Sequence, residues 1–129
     1  MGTKVTGRPI SKANAEHYIW GGQCDGWHLV KSPQLSVIQE RVPAGGGEVR
    51  HYHRKAQQFF YVLSGSANLE IDGEILRLSP GQGRHVPAGT PHRLANEGPE
   101  ELEFLVVSVP MAQNDRVTAE DDNTHETDT

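Results

Sequence analysis

The sequence has a single cysteine, Cys24, and no long apolar run. One thiol excludes an intramolecular disulfide framework and a zinc site built from several cysteines. The longest apolar stretch covers residues 104–107, far short of the roughly 20 residues that a membrane span needs, and the first residues lack the apolar core of a signal peptide. We therefore expect a chain that does not contact a membrane and lies in the cytoplasm.

The chain also lacks an excess of basic charge. Its net charge is −5 at pH 7, and residues 112–129 account for all of it, with six acidic residues against Arg116 alone. The remaining body is neutral and offers no basic stripe, so nucleic acid is not expected as a partner. Residues 112–129 contain no large apolar side chain after Val117, which predicts a disordered acidic tail. A lid folded over the body is the alternative.

Segments suited to long helices are missing as well. The 14 glycines and 8 prolines are spread along the 129 residues as punctuation between short apolar runs, which argues against a helix bundle. Only residues 12–17 leave room for a short helix. The length and composition of strands recur in five segments, namely residues 35–42, 57–63, 67–71, 74–78 and 101–109. This pattern predicts one compact all-β domain, a sandwich or barrel of antiparallel strands.

Four of these segments carry further signals. Asp72-Gly73 separates two of them by two residues, which predicts a hairpin with a type I′ turn. Residues 101–109 are apolar on both faces from Phe104 onward, and residues 57–63 place Phe59 and Tyr61 on one face and Phe60 on the other. Strands of this kind are covered on both sides, which predicts a homodimer or, alternatively, a fully buried central strand.

The spacing of three histidines indicates a candidate metal site. His51 and His53 are two residues apart, so on a strand their side chains share one face, and His92 follows a second turn-rich segment. Imidazoles that converge from adjacent strands suit a divalent transition metal ion. On these residues alone, a metal site and ordinarily hydrogen-bonded histidines both remain open.

The spacing around these histidines resembles the two motifs of the cupin superfamily. The first motif contains, at intervals of five, four and six residues, Gly45, His51-Tyr52-His53, Gln58 and Gly65. The second motif contains, at the family's spacings, Gly81, Pro87, Gly89, His92 and Asn96. The resemblance covers about residues 35–109, and the short segment between the motifs is similar to that of small single-domain bacterial cupins.

The resemblance implies a jelly-roll β-barrel with a metal ion at its mouth. Carried over position by position, the implied metal ligands are His51, His53, Gln58 and His92. The implied barrel spans residues 21–111, with residues 1–20 as an N-terminal extension and residues 112–129 as the acidic tail. Removal of residues 114–129 is expected to leave the melting temperature and the metal content unchanged.

The fourth ligand departs from the family pattern, which has a glutamate where this chain has Gln58. A carboxamide oxygen can bind a metal ion but is neutral, so metal affinity should fall, Lewis acidity should rise, and an anionic ligand is favoured. Three imidazoles and an amide accept one divalent ion of Fe, Zn, Ni, Mn, Co or Cu. A decayed pocket without metal is the alternative.

The residues that follow Gln58 on its own face of the strand are expected to line the pocket. These are Phe60 and Val62, which predict an apolar substrate-binding wall. For residues 35–42 the inward face stays open between Val37, Gln39 and Arg41 on one side and Ile38 and Glu40 on the other. His28 is interpreted as structural.

Two classes of function fit this reading. The first is a metalloenzyme that acts on a small anionic or enolisable molecule, either dioxygenase-like or a non-redox isomerase, cyclase or lyase, with no catalytic residue identified. The second is a module that binds or senses a small metabolite without chemistry. Because a fold does not fix a function, the substrate stays open.

Overall fold

The computed structural model describes residues 7–112 and 114–119. Within these ranges the chain forms strands and turns without an α-helix, and so without a helix that is long and apolar enough to span a membrane. The strands are β1 (Glu16–Trp20), β2 (Cys24–Lys31), β3 (Ser36–Val42), β4 (His51–His53), β5 (Gln57–Ser64), β6 (Ala67–Ile71), β7 (Glu74–Leu78), β8 (Gly83–Val86), β9 (His92–Ala95), β10 (Leu102–Val109) and β11 (Arg116–Thr118).

The strands form two antiparallel sheets. The larger sheet has the order β1-β2-β3-β10-β5-β8, and the smaller has the order β11-β4-β9-β6-β7. The inner faces of both sheets bury a common apolar core that includes Phe60, Val62, Leu69, Leu94, Leu102 and Phe104. This is a jelly-roll β-barrel, so the all-β prediction and the jelly-roll architecture implied by the resemblance are confirmed.

The structure confirms the five strands and the hairpin turn that the sequence predicts. The five predicted strands correspond to β3, β5, β6, β7 and β10, with boundaries that differ by at most one residue. Asp72 and Gly73 have φ values of 50° and 91°, and Ile71 pairs with Glu74 on either side of them. Two positive φ values at the centre of a two-residue loop are those of the predicted type I′ turn.

The two-sided apolar strand lies in the middle of the larger sheet. β10 pairs with β3 on one side and with β5 on the other. Its inward residues Phe104 and Val106 are buried, while Leu105 and Val107 on the outer face are half-buried. On neighbouring β5 the outward side chains of Phe59, Tyr61 and Leu63 are exposed. The outer face of β5 is therefore an uncovered apolar surface in the single chain.

The N-terminal region forms a turn and a strand where the sequence left room for a short helix. Residues 12–14 form a turn, in which the backbone N–H groups of Asn14 and Ala15 donate to the Ser11 carbonyl. The chain then enters β1, which pairs along its whole length with β2. A helix of six residues is marginal on its own, and pairing with β2 satisfies the same backbone groups. The sheet therefore starts at Glu16, inside the segment expected to be an extension of the barrel.

The first part of the acidic tail contains a short strand, where the sequence predicted disorder. β11 extends the smaller sheet, with Arg116 opposite His53 and Thr118 opposite His51. The Asp115 carboxylate accepts hydrogen bonds from the backbone N–H groups of Lys55 and Ala56, both at 2.9 Å. The open edge of β4 supplies backbone partners, so this strand needs no large apolar side chain. Residue 113 and residues 120–129 lie outside the described part.

Candidate metal centre

Three histidines meet on the inner face of the smaller sheet. His51 and His53 project from β4 to one side, and His92 on β9 pairs directly with His51. All three side chains are buried, and one nitrogen from each lies within 4.8 Å of the others. The ring centroids of His51 and His92 are 4.5 Å apart. The structure thus brings together the histidines that the motif spacing singled out.

Backbone carbonyls orient two of these rings. Nδ1 of His51 lies 2.7 Å from the Val49 carbonyl, and Nδ1 of His92 lies 2.9 Å from the Thr90 carbonyl. Because a carbonyl only accepts, both Nδ1 atoms carry the proton and donate it, which leaves Nε2 with a free lone pair. This arrangement is typical of histidines that bind metals, since it fixes both the tautomer and the ring orientation.

Gln58 offers a further donor atom in the same pocket. Its Nε2 donates to Ser108 Oγ at 3.0 Å, which leaves the Oε1 atom for another partner. Oε1 is buried and has no hydrogen-bond partner among the described residues, and the same holds for Nε2 of His92 and Nδ1 of His53. Unpartnered buried acceptors are costly. A divalent transition metal ion would satisfy such nitrogen and amide oxygen atoms, so the donor set fits a metal.

The structure places Gln58, and not its neighbour Gln57, beside the three histidines, as the motif spacing predicts. Gln57, the neighbour of Gln58, is exposed, and its side-chain oxygen lies 2.9 Å from Nε2 of His85 on the outer surface. Gln58 is buried and lines the pocket. Of the two glutamines, only Gln58 therefore lies on the side of the three histidines.

Burial keeps the histidines neutral. Desolvation lowers the pKa of His51 to about 3 and that of His53 to about 4, and it also lowers the pKa of His92. An uncharged imidazole is the form that binds a metal ion. At physiological pH no proton has to leave these rings before a metal enters.

His51, His53 and Gln58 line an open pocket of about 430 Å³ between the two sheets, a size suited to a small organic ligand. The larger sheet contributes an apolar wall of Ile38, Phe60 and Val106. Phe60 also contacts His92, with ring centroids 5.8 Å apart. Val62, expected beside Phe60 in this wall, is instead buried deeper in the core.

Sequence reasoning missed two half-buried acids that line this pocket. Glu40 on β3 accepts a hydrogen bond from the Tyr18 hydroxyl at 3.0 Å, and Glu48 accepts one from the Leu94 backbone N–H at 3.0 Å. Burial raises the pKa of Glu40 to about 8 and that of Glu48 to about 7. The sequence had left the inward face of residues 35–42 open, and the structure assigns it to Ile38 and Glu40.

Two other interpretations change with the structure. His28, expected to be structural, lines the pocket, and its ring packs against that of Tyr18 at 4.9 Å between centroids. The C-terminal segment lines it too, through Met111, Ala112, Asn114 and Arg116. For its described residues, this segment matches the alternative of a lid better than that of a free tail.

The raised carboxyl pKa values predict how stability depends on pH. The folded state holds the proton of Glu40 up to about pH 8, whereas an unfolded chain releases it near the ordinary value of 4.5. A raised carboxyl pKa therefore costs stability as the pH rises through this window. The lowered histidine pKa values act in the opposite direction, but only below their ordinary value of 6.5.

We accordingly expect the melting temperature of the metal-free protein to fall between about pH 6.5 and pH 8. Thermal unfolding followed by circular dichroism across this range measures the effect. Glu40→Gln should flatten the slope because the titrating carboxyl is gone. A wild-type melting temperature that stays constant or rises over the window would contradict the assignment.

Comparison with known proteins agrees with this architecture. Residues 38–108 match the family model described as a cupin domain. Quercetin 2,3-dioxygenase from Bacillus subtilis is 39% identical over 59 residues, which are 46% of this chain and 18% of that enzyme. The chain spans less than two thirds of the length of the curated relatives it matches.

Solved structures show the same fold at lower identity. An RmlC-like cupin from Shewanella frigidimarina superposes with a TM-score of 0.75 at 21% identity, over 84% of this chain and 96% of that one. The polyketide cyclase RemF from Streptomyces resistomycificus gives a TM-score of 0.74 at 20% identity, over 96% of this chain and 94% of its own. The matched family model covers more than half of the sequence, and the chain belongs to the cupin family.

Proposed function

We propose that this protein is a metal-dependent enzyme that acts on a small anionic or enolisable molecule. One divalent transition metal ion would be held by His51, His53, Gln58 and His92. The observation that carries this proposal is the group of three buried histidines beside Gln58 at one open pocket, with donor atoms that have no partner among the described residues. An ion held there supplies a Lewis acid that polarises an oxygen atom of the ligand.

The rest of the pocket suits an organic ligand with polar oxygens. Ile38, Phe60 and Val106 would contact its apolar part and exclude water. Arg116 lines the same pocket and forms no ion pair with any described residue. Its Nη2 donates to the Val49 carbonyl at 3.2 Å, which leaves other N–H groups for an anionic substituent. Arg116 would therefore balance the negative charge of the ligand.

Of the two chemistries open to such a site, we favour the non-redox one, an isomerase, cyclase or lyase. The names of similar proteins include both a dioxygenase and a cyclase. A proton-transfer reaction needs carboxyl groups that exchange protons near neutral pH, and Glu40 and Glu48 in the pocket wall provide them. Oxygenation would make no evident use of them.

Purification without added metal, followed by elemental analysis, is the first test, and we expect about one divalent ion per chain. The loaded protein is then assayed against small enolisable acids and phenols while oxygen uptake is recorded. Conversion without oxygen uptake supports the proposal. Conversion that consumes oxygen would identify the dioxygenase branch, and tight binding without conversion would identify a sensing module.

Gln58→Glu is expected to raise metal retention. The substitution adds a negative charge beside a divalent ion, and Ser108 Oγ, which now accepts from Gln58, can turn to donate to a carboxylate. Metal content after dialysis against a chelator measures the effect. Gln57→Glu, the same change on the exposed neighbour, is the matched control and should leave retention unchanged. Equal or lower retention in Gln58→Glu would show that Gln58 is not a ligand.

A homodimer is part of the proposal. The exposed side chains of Phe59, Tyr61 and Leu63 form an apolar strip on the outer face of β5, and Val109 on β10 is exposed nearby. Exposed apolar strips of this kind are often covered by a second copy of the chain. Light scattering at micromolar concentration should give twice the chain mass, and one chain mass would refute the dimer. A cytoplasmic location is proposed as well, consistent with one buried free thiol.

A further inference from the structure

Three residues lie side by side on the inner face of the larger sheet, on β1, β2 and β3. Tyr18 pairs with Gly26, and Gly26 pairs with Glu40. Residues at paired positions of an antiparallel sheet point to the same face. The Tyr18 hydroxyl donates to Glu40 Oε2 at 3.0 Å. This hydrogen bond therefore reaches across the whole width of β2.

Gly26 provides the space for the Tyr18 side chain to cross β2. A Cβ atom at this position would overlap the Tyr18 ring and would lie 2.6 Å from its hydroxyl oxygen. Adjacent strands are about 4.8 Å apart, so β1 and β3 are about twice that distance apart, and the ring must lie flat over β2 to bridge them. The glycine is required here for space and not for an unusual backbone angle.

The pair is built into the wall of the pocket. Tyr18, His28 and Glu40 all line it. The His28 ring packs on Tyr18, and His28 Nδ1 is buried without a partner among the described residues. None of these three residues belongs to the group of histidines that could hold the metal. They form a separate polar cluster on the sheet that faces that group.

The surroundings of Glu40 set its proton affinity. Its pKa is raised to about 8, mainly by desolvation and also by the negative charge of Glu48 in the segment before β4. Tyr18 from β1 and Arg116 from β11 lower the pKa. Burial raises the pKa of the Cys24 thiol on β2, and the charge of Glu40 contributes to this rise. The β10 residue that pairs with Glu40 is the uncharged Phe104. The pKa of Tyr18 itself is raised, so its phenol keeps its proton and remains a donor.

We propose that Glu40, held by Tyr18 over Gly26, is the acid–base residue of this pocket. The inference rests on the proposed function, since it needs a ligand bound beside the three histidines. In the forward step a Glu40 carboxylate oxygen takes a proton from the carbon next to the ligand's carbonyl group. The C–H bond breaks, its electron pair forms a C=C bond, and the carbonyl π pair moves to oxygen.

The reverse step returns the proton from the Glu40 carboxyl to carbon. Return to a different carbon isomerises the ligand, and no oxidant or reductant is required. Tyr18 is a positioning residue, because its hydroxyl occupies Oε2 and leaves Oε1 free to exchange the proton. Gly26 has no chemical role but provides the space in which the pair forms.

The first part of the test uses the metal-free protein and no ligand. Glutamate side chains labelled with ¹³C are titrated by NMR, and Glu40→Gln assigns the Glu40 signal. We expect Glu40 to titrate near pH 8. Tyr18→Phe should move its pKa up by about one unit, because one hydrogen bond to the carboxylate is lost. Glu40→Gln should fold normally, since an amide replaces a carboxyl that is largely protonated at neutral pH.

The second part uses the metal-loaded protein with pyruvate as the probe. Exchange of its methyl protons in D₂O is followed by proton NMR. We expect the wild type to accelerate the exchange, Glu40→Gln to lose about 100-fold or more, and Tyr18→Phe to shift the midpoint of the pH profile upward. Glu74→Gln, an exposed acid on β7, is the matched control and should exchange at the wild-type rate.

Metal content is measured in every variant, which separates this inference from the proposed function. Glu40→Gln with full metal content and slow exchange supports the inference. Glu40→Gln that exchanges as fast as the wild type would overturn it, as would a loaded wild type that binds pyruvate without accelerating exchange. A Glu40 that titrates as an ordinary glutamate and ignores Tyr18→Phe would overturn it too. A wild-type protein that binds no metal would instead refute the proposed function. The NMR titration of Glu40 would then decide the acid–base inference.

Discussion

Replacement of His92 by alanine is expected to remove most of the bound metal. His92 is almost completely buried, and its Nε2 is unpartnered while its Nδ1 is held by the Thr90 carbonyl. Without it, two imidazoles and one neutral amide remain. Loss of a residue that merely orients a ligand lowers metal affinity by about 10–100-fold, so loss of the ligand itself should cost at least about 100-fold. The metal-to-protein ratio after dialysis against a chelator measures the loss.

His85→Ala is the matched control, because His85 is exposed on β8 and faces away from the pocket. It should keep the wild-type metal content. His51→Ala and His53→Ala should behave like His92→Ala, and circular dichroism of each variant separates loss of metal from loss of fold. A variant that lacks both His51 and His92 but still binds one ion tightly would contradict the site.

The structure reverses the expectation from the sequence, and removal of residues 114–129 should destabilise the protein and loosen the metal site. The deletion removes β11, the pairing partner of β4, together with the Asp115 carboxylate that accepts from two backbone N–H groups. A buried amide left without a partner costs about 1–3 kcal/mol. A loss of this size lowers the melting temperature of a small domain by about 5 °C or more. Metal retention should fall because β4 carries His51 and His53.

The matched control is a truncation after Ala119, which keeps β11 and all the contacts described above. Its melting temperature and metal content should remain close to those of the full chain. Asp115→Ala tests the capping bonds alone and should reproduce part of the loss, whereas Asp115→Asn keeps an acceptor oxygen and should lose less. If removal of residues 114–129 changes neither quantity, β11 does not support the site.

Features encoded by neighbouring residues could be predicted from the sequence. The hairpin at Asp72-Gly73 follows from two residues that tolerate positive φ between two short apolar runs. The three histidines follow from alternation along β4 and from a second motif with fixed spacing. Each of these predictions depends on a few residues that lie close together in the sequence.

Features that depend on the pairing of distant strands could not be predicted in this way. β1 and β11 are edge strands with little periodicity, and each forms because a neighbouring strand offers unpaired backbone groups. The role of Gly26 becomes visible only when β1, β2 and β3 are placed in register. Glu40 looks like a surface residue in the sequence, because its alternation with Gln39 and Arg41 does not indicate which face is buried.

The most direct test of the metal centre is a crystal structure of the protein grown with Co²⁺, with anomalous diffraction recorded at the cobalt edge. We expect one anomalous peak inside the barrel, about 2.0–2.3 Å from a nitrogen of His51, His53 and His92 and from Oε1 of Gln58. A barrel without a peak at the three histidines, or a peak that these residues do not surround, would contradict the account.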